Sequence, residues 1–120
     1  MARKVLLIED EPHIAEAIRF ILSRDGWTVA SHATGHAALD AVRRERPDAL
    51  VLDVILPGRG GIELLGDLKD DPALAAIPVL VLSANSRERG RAEAAGADRF
   101  IAKPFANDEI VAALREVAGP

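Results

Sequence analysis

Short apolar runs, none longer than about five residues, alternate along the chain with stretches whose apolar residues recur at helical spacing. This alternation limits the possible folds more than any other property of the sequence. Val5–Ile8, Ala49–Leu52 and Pro78–Leu82 are continuous apolar segments, as expected of strands buried on both faces. Trp27–His32 is a weaker candidate, and Phe100–Ala102 reads as the last strand. Between them, Ile14, Ala17, Ile18, Ile21 and Leu22 follow the spacing of an amphipathic helix, with Pro12 near its first turn and Gly26 past its end. Ala38, Leu39 and Val42 mark a second helix that stops before Pro47. Ile62, Leu65 and Leu68 mark a short third, broken at Asp71-Pro72. Arg87–Ala95 reads as a fourth, and Ile110, Ala113, Leu114 and Val117 as a fifth that ends at Gly119-Pro120.

Five strand–helix units in strict alternation imply an α/β domain, doubly wound, with a parallel sheet, helices on both faces and right-handed crossovers. At 120 residues, without an internal linker, repeat or low-complexity stretch, residues 1–120 are expected to form one domain. The inner face of the fourth helix offers mostly Ala92 and Ala95. It buries little apolar area and is expected to be the most loosely held helix.

Composition narrows the function. A hydrophobic content of 49% supports a packed core and argues against disorder, while 3% aromatic residues make that core aliphatic. The absence of cysteine excludes disulfides, thiolate metal sites and thiol catalysis. A formal charge of −4 disfavours non-specific nucleic-acid binding, which rests on neutralising phosphates with Lys and Arg. The apolar runs fall far short of the roughly 20 residues needed to span a membrane. Met1-Ala2-Arg3-Lys4 leads too quickly into charge to be a signal peptide. A soluble cytoplasmic protein, with no direct nucleic-acid or membrane partner, is expected.

The strand candidates end in polar residues. Glu9-Asp10 follows the first, Asp53 the third, Ser83 the fourth and Lys103-Pro104 the fifth. On a doubly wound sheet, ligands bind outside the carboxyl ends of the strands, where the winding reverses. Carboxylates held close together repel unless a cation joins them. Glu9, Asp10 and Asp53 offer oxygen only, which suits magnesium, or manganese, over zinc. A carboxylate can also act as a nucleophile and form an acyl phosphate. Phosphoryl transfer asks mainly for positioning and charge neutralisation, which Lys103 would supply as a point charge and Ser83 as a hydrogen-bond donor. Each residue has a plainer reading alone: Glu9-Asp10 as a helix cap, Asp53 as a turn acid, Ser83 as a turn or cap residue, Lys103 as a solvated lysine. Those readings do not require all four strand ends to carry complementary chemistry.

With Asp53 43 residues after Asp10, Ser83 30 further on and Lys103 20 beyond that, the chain resembles the receiver domain of two-component response regulators over essentially its whole length. The Leu56-Pro57-Gly58 loop, Gly61, the Ala95-Gly96-Ala97 stretch and Lys103-Pro104-Phe105 carry the same resemblance. It implies a flavodoxin-like (βα)5 fold with strand order 2-1-3-4-5. It implies that Asp53 accepts phosphate from a histidine kinase or a histidine phosphotransfer protein. Asp10 and Asp53 would ligate Mg2+ directly, Glu9 through water and Ile55 through its backbone carbonyl. Lys103 would contact the phosphate, and the Lys103–Pro104 bond would be cis. Ser83 would move toward the phosphate, Ala84 would leave room, and Phe100 would turn into the vacated space. The surface of the fourth helix, fifth strand and fifth helix would then meet a downstream protein target or a second copy of the chain. Such a module is a signalling switch rather than an enzyme, apart from catalysing its own phosphorylation and dephosphorylation. Because no further module follows the fifth helix, a stand-alone regulator of the chemotaxis or phosphorelay type is expected. The alternative is a receiver fragment of a longer regulator.

Some positions depart from the family pattern. Phe100 stands where many members carry tyrosine, and Gly60 where Asp, Asn or Ser is common. Ile55 and Asn85 lie two residues beyond Asp53 and Ser83, where members tune the lifetime of the phosphate. A phosphatase of the haloacid-dehalogenase type also uses an aspartate nucleophile, magnesium and a lysine, but wants an Asp where this chain has Ile55. A third reading is a binding module of the same fold that is never phosphorylated; the intact acid, hydroxyl and lysine set argues against it. His13, His32 and His36 are poor catalytic candidates, with His13 the nearest to the site. Trp27 reads as a partly buried surface anchor. Arg87, Arg89, Arg91 and Arg99 read as a solvated face, or alternatively as an electrostatic docking patch. An apolar Ile55 cannot orient an attacking water, so slow self-dephosphorylation is expected; a phospho-form half-life of only seconds in purified protein with magnesium contradicts it.

Overall fold

A computed structural model describes residues 3–35, 38–54 and 60–119. The strands are β1 (Lys4–Ile8), β2 (Thr28–His32), β3 (Ala49–Asp53), β4 (Val79–Ser83) and β5 (Arg99–Ala102). The helices are α1 (Pro12–Arg24), α2 (Ala38–Glu45), α3 (Gly61–Asp70), α4 (Arg89–Ala95) and α5 (Asn107–Ala118). All strands are parallel in the order β2-β1-β3-β4-β5, the expected flavodoxin-like arrangement.

The continuous apolar runs become central strands because both of their faces are covered. Alternate residues feed opposite layers. Val5, Leu7, Ala49, Val51, Leu80, Leu82 and Ile101 pack with Ile18, Leu22, Ile110, Ala113 and Leu114 of α1 and α5. Leu6, Ile8, Leu50, Leu52, Val79, Val81 and Phe100 pack with Ala41, Val42, Leu64, Leu65, Leu68 and Ala92 of α2, α3 and α4. The outer strands β2 and β5 carry the less apolar sequences. On β2 the backbone of Thr28 and His32 bonds inward to Arg3 and Glu9, so the intervening Val29 carbonyl faces outward. Arg19 of α1 donates to that carbonyl and to the Ser31 hydroxyl, covering the edge.

Three expectations need correcting. Trp27 is not a surface anchor in a strand. Gly26, at φ +94°, turns the chain so that the Trp27 N–H bonds the Leu22 carbonyl. The indole is then buried among the α1 and α5 residues, under the Arg3 guanidinium at 4.7 Å. Ala17 belongs to the helical apolar pattern yet is exposed, because α1 buries only the stripe through Ile18 and Leu22. The third helix ends at Asp70, at the expected break. The fourth begins as a 3₁₀ turn, Ser86–Glu88, where the Asn85 side chain accepts from the Arg87 N–H, and becomes α-helical only at Arg89.

The alanine face of α4 is as thin as its sequence indicates: Ala92 is its one buried residue. Its far end is pinned differently. Gly96 caps it at φ +113° and lies against the stem of Lys69, whose ammonium donates to the Ala75 and Ile77 carbonyls and pairs with Asp98 at 3.6 Å.

Truncation at the sheet centre should be far costlier than anywhere on α4. Leu7→Ala, at a fully buried β1 position, is expected to lower the unfolding free energy by about 2–5 kcal/mol in urea titrations. A loss below about 1 kcal/mol contradicts the two-sided burial of β1.

Candidate functional site

β1 and β3 lie side by side at the sheet centre, with Ile8 level with Leu52. Their next residues, Glu9-Asp10 and Asp53, therefore emerge together at the carboxyl edge, at the point where the winding reverses. One oxygen from each of Glu9, Asp10 and Asp53 lies within 4.8 Å of the others. Ser83 ends the adjoining β4, and the Lys103 N–H bonds the Ser83 carbonyl at 2.8 Å, which locks the end of β5 to β4. The Lys103–Pro104 peptide bond is cis.

Lys103 ties the edge together. Its Nζ donates to Glu9 Oε1 at 2.8 Å and to Asp53 Oδ2 at 3.3 Å. Glu9 and Asp53 are both buried, and Asp10 is more open. The other Glu9 oxygen accepts from the Glu11 N–H at 3.3 Å, so this residue also serves the start of α1, which has no side-chain cap of its own. Burial, reinforced by the Asp53 carboxylate and opposed by the bond to Lys103, pushes the Glu9 carboxyl up to about 7. Burial acts to lower the Lys103 ammonium, but Glu9 and Asp53 outweigh it and hold its pKa above the ordinary lysine range.

Three carboxylates against one ammonium leave two uncompensated negative charges when all are ionised. A divalent cation with oxygen ligands fits the same surplus, and the donor set suits magnesium. Ile55, expected to add its backbone carbonyl, lies outside the described residues, as do His36 and Leu56-Pro57-Gly58-Arg59.

Ser83 is buried and turned toward its own loop. Its hydroxyl donates to the Asn85 carbonyl at 3.2 Å and accepts from the Asn85 N–H at 3.0 Å. Ala84 is exposed, Phe100 is buried in the layer of α2, α3 and α4, and Arg89 stacks over the Phe100 ring at 4.8 Å. Of the arginine stretch, Arg91 pairs with Glu88 and Arg99 with Glu116, both on the surface. His13 is exposed and joins Ile14, Ala17, Lys103 and Phe105 around a hollow of about 490 Å³ beside the site.

Sequence reasoning missed the part played by Gly61. Its N–H bonds the Val54 carbonyl at 2.7 Å, and a Cβ there would stand 2.3 Å from the Asp53 carbonyl oxygen. Only glycine lets α3 start so close to the Asp53 backbone. The signal in the sequence was the glycine at the start of an apolar helical pattern, eight residues past Asp53.

A family model for the response regulator receiver domain matches residues 5–115. The chain belongs to that family. The receiver is 40% identical over 114 residues to the probable transcriptional regulatory protein TcrX of Mycobacterium tuberculosis, covering 92% of this chain and 47% of the relative. It spans about half the length of the curated relatives it matches. Among solved structures it resembles a putative response regulator from Chloroflexus aurantiacus (TM-score 0.95, 29% identity, 100% of both chains). It also resembles the receiver domain of sensor histidine kinase PA1611 from Pseudomonas aeruginosa (TM-score 0.91, 28% identity, 100% of both chains), which holds a magnesium ion in its active-site cleft. This receiver is therefore a module of two-component signalling. Among its described residues, no helix is long and apolar enough to cross a membrane.

The raised Glu9 pKa fixes the sign of a pH effect. Between its ordinary value near 4.5 and about 7, the folded metal-free receiver holds a proton that the unfolded chain has released. The Glu9 contribution to stability therefore falls as pH rises through that window and is level above it. Glu9→Gln, which keeps the neutral form, should flatten the decline in Tm between pH 5 and 7.5 measured without metal. Identical slopes in the two proteins contradict the assignment.

Proposed function

We propose that the receiver is a phosphorylation-dependent switch in which Asp53 is the acceptor. An oxygen of its carboxylate attacks the phosphorus of a phosphohistidine on a kinase or phosphotransfer protein. The P–N bond breaks, its electron pair returns to the imidazole nitrogen, and an acyl phosphate forms on Asp53. Hydrolysis by water returns the carboxylate and inorganic phosphate. The observation that carries this reading is the Lys103 ammonium, held between Glu9 and Asp53 at 2.8 and 3.3 Å in a chain of the receiver family.

Lys103 would exchange its bond to Asp53 for one to a phosphoryl oxygen, neutralising charge where the acceptor takes up the group. Magnesium, held by Asp10 and Asp53 with Glu9 through water and the Ile55 carbonyl, would supply the remaining charge neutralisation when bound. Ser83 would leave the Asn85 backbone to donate to another phosphoryl oxygen, with Ala84 giving it room. Phe100 would follow into the space it leaves. The α4–β5–α5 surface would report the change to a protein target or to a second copy of the chain. The modest packing of α4 supports this assignment, since an element with one buried residue costs little to move. The half-length match to transcriptional regulatory proteins favours a second reading of the output, in which a receiver of this kind governs an effector domain in a longer chain.

Incubation with acetyl phosphate and magnesium, followed by intact-mass spectrometry, should add a single phosphate to the wild type and none to Asp53→Ala. Chelation of magnesium should abolish the adduct. A wild type that remains unmodified overturns the proposal, and steady turnover of p-nitrophenyl phosphate would point to a phosphatase instead.

A further inference from the structure

We infer that Arg89 is a positioning residue for the switch: its guanidinium latches the Phe100 ring to the first turn of α4 while Ser83 is held by Asn85. The inference rests on the reading of Ser83 and Phe100 given above, and adds to it a residue by which one senses the other.

Four observations meet at this place. Arg89 is the first α-helical residue of α4, and its guanidinium carbon lies 4.8 Å from the centroid of the Phe100 ring. Among the described residues Arg89 makes no ion pair, whereas Arg91 and Arg99 in the same stretch each have a carboxylate. Phe100 has no hydroxyl through which to bond to a neighbour, so the face of its ring is the feature that a cation can hold. The element that carries Arg89 is otherwise weakly anchored, with Ala92 alone buried.

The two ends of α4 are also unequal. At the far end, Gly96 sits against the Lys69 stem, and Lys69 is bonded to the Ala75 and Ile77 carbonyls and paired with Asp98. At the near end, the 3₁₀ turn Ser86–Glu88 hangs from Asn85, which in turn is held by the Ser83 hydroxyl through both of its backbone groups. Withdrawing the Ser83 hydroxyl frees Asn85 and lets that turn shift. Arg89 then moves relative to β5, whose register against β4 is fixed by Val81 opposite Phe100 and Ser83 opposite Ala102. The latch opens at its near end while the Lys69 anchorage acts as the pivot. In the arrangement described, the latch favours the resting state.

Two measurements test this. In metal-free protein, Arg89→Ala should speed amide hydrogen exchange across residues 86–92 and leave residues 96–98 unchanged. In a Phe100→Leu background the same substitution should add nothing. Additive effects of the two substitutions, or faster exchange at both ends of α4, overturn the latch; this arm does not depend on phosphorylation. In the second arm, Arg89→Ala should bind beryllofluoride with magnesium about two- to fivefold more tightly than wild type, the span expected for one exposed cation–π contact. Arg89→Lys should fall between the two, with the affinity for magnesium alone unchanged in all three. Unchanged or weaker beryllofluoride binding by Arg89→Ala overturns the inference. Failure of the wild type itself to bind beryllofluoride counts against the proposed function rather than against the latch.

Discussion

The buried contact of Lys103 with Glu9 and Asp53 is the interaction on which the rest of the carboxyl edge depends. Two carboxylates drawn out of water repel one another, and breaking a buried pair by removing one partner typically costs about 3–5 kcal/mol. One ammonium between them lowers that cost without removing it. Burial, with the Asp53 carboxylate beside it, keeps the Glu9 pKa raised against the bond to Lys103. The site is thus stable enough to be preformed and unbalanced enough to favour a further cation. The backbone bond from Lys103 to Ser83 places this lysine on the same strand ends that it neutralises.

The fold was legible because its signal is one of burial. Val5–Ile8, Ala49–Leu52 and Val79–Leu82 are apolar at every position, which only a sheet covered on both faces makes favourable. The polar residues that close each run were legible for the complementary reason: a charge is costly inside a core covered on both faces, so it stands at the strand's end, as Asp53 does on β3. Trp27 was misjudged because nothing local distinguishes an indole that a glycine turn folds under α1 from one left at the rim. The 3₁₀ start of α4 was missed because Ser86–Glu88 is polar on every side and offers no periodicity to read.

Contacts between residues distant in sequence were less accessible. That Glu9 and Lys103 form an ion pair depends on the cumulative register of β1, β3, β4 and β5. The closeness of Gly61 to the Asp53 carbonyl depends on the angle at which α3 leaves the sheet. The Ser83–Asn85 turn and the stacking of Arg89 on Phe100 are side-chain choices that a list of strand ends does not contain. These contacts relate the acid cluster to α4, while the residues that make the cluster itself stand out in the sequence.

The cover that Arg19 lays over β2 makes the two borders of the sheet unlike. A strand from another chain that tried to pair with β2 would first have to displace a guanidinium bonded to the outward Val29 carbonyl. The opposite border belongs to β5, which carries Phe100 and adjoins the arginine-bearing helix. Strand pairing at the β2 border is therefore disfavoured by a side chain of the sheet's own covering helix.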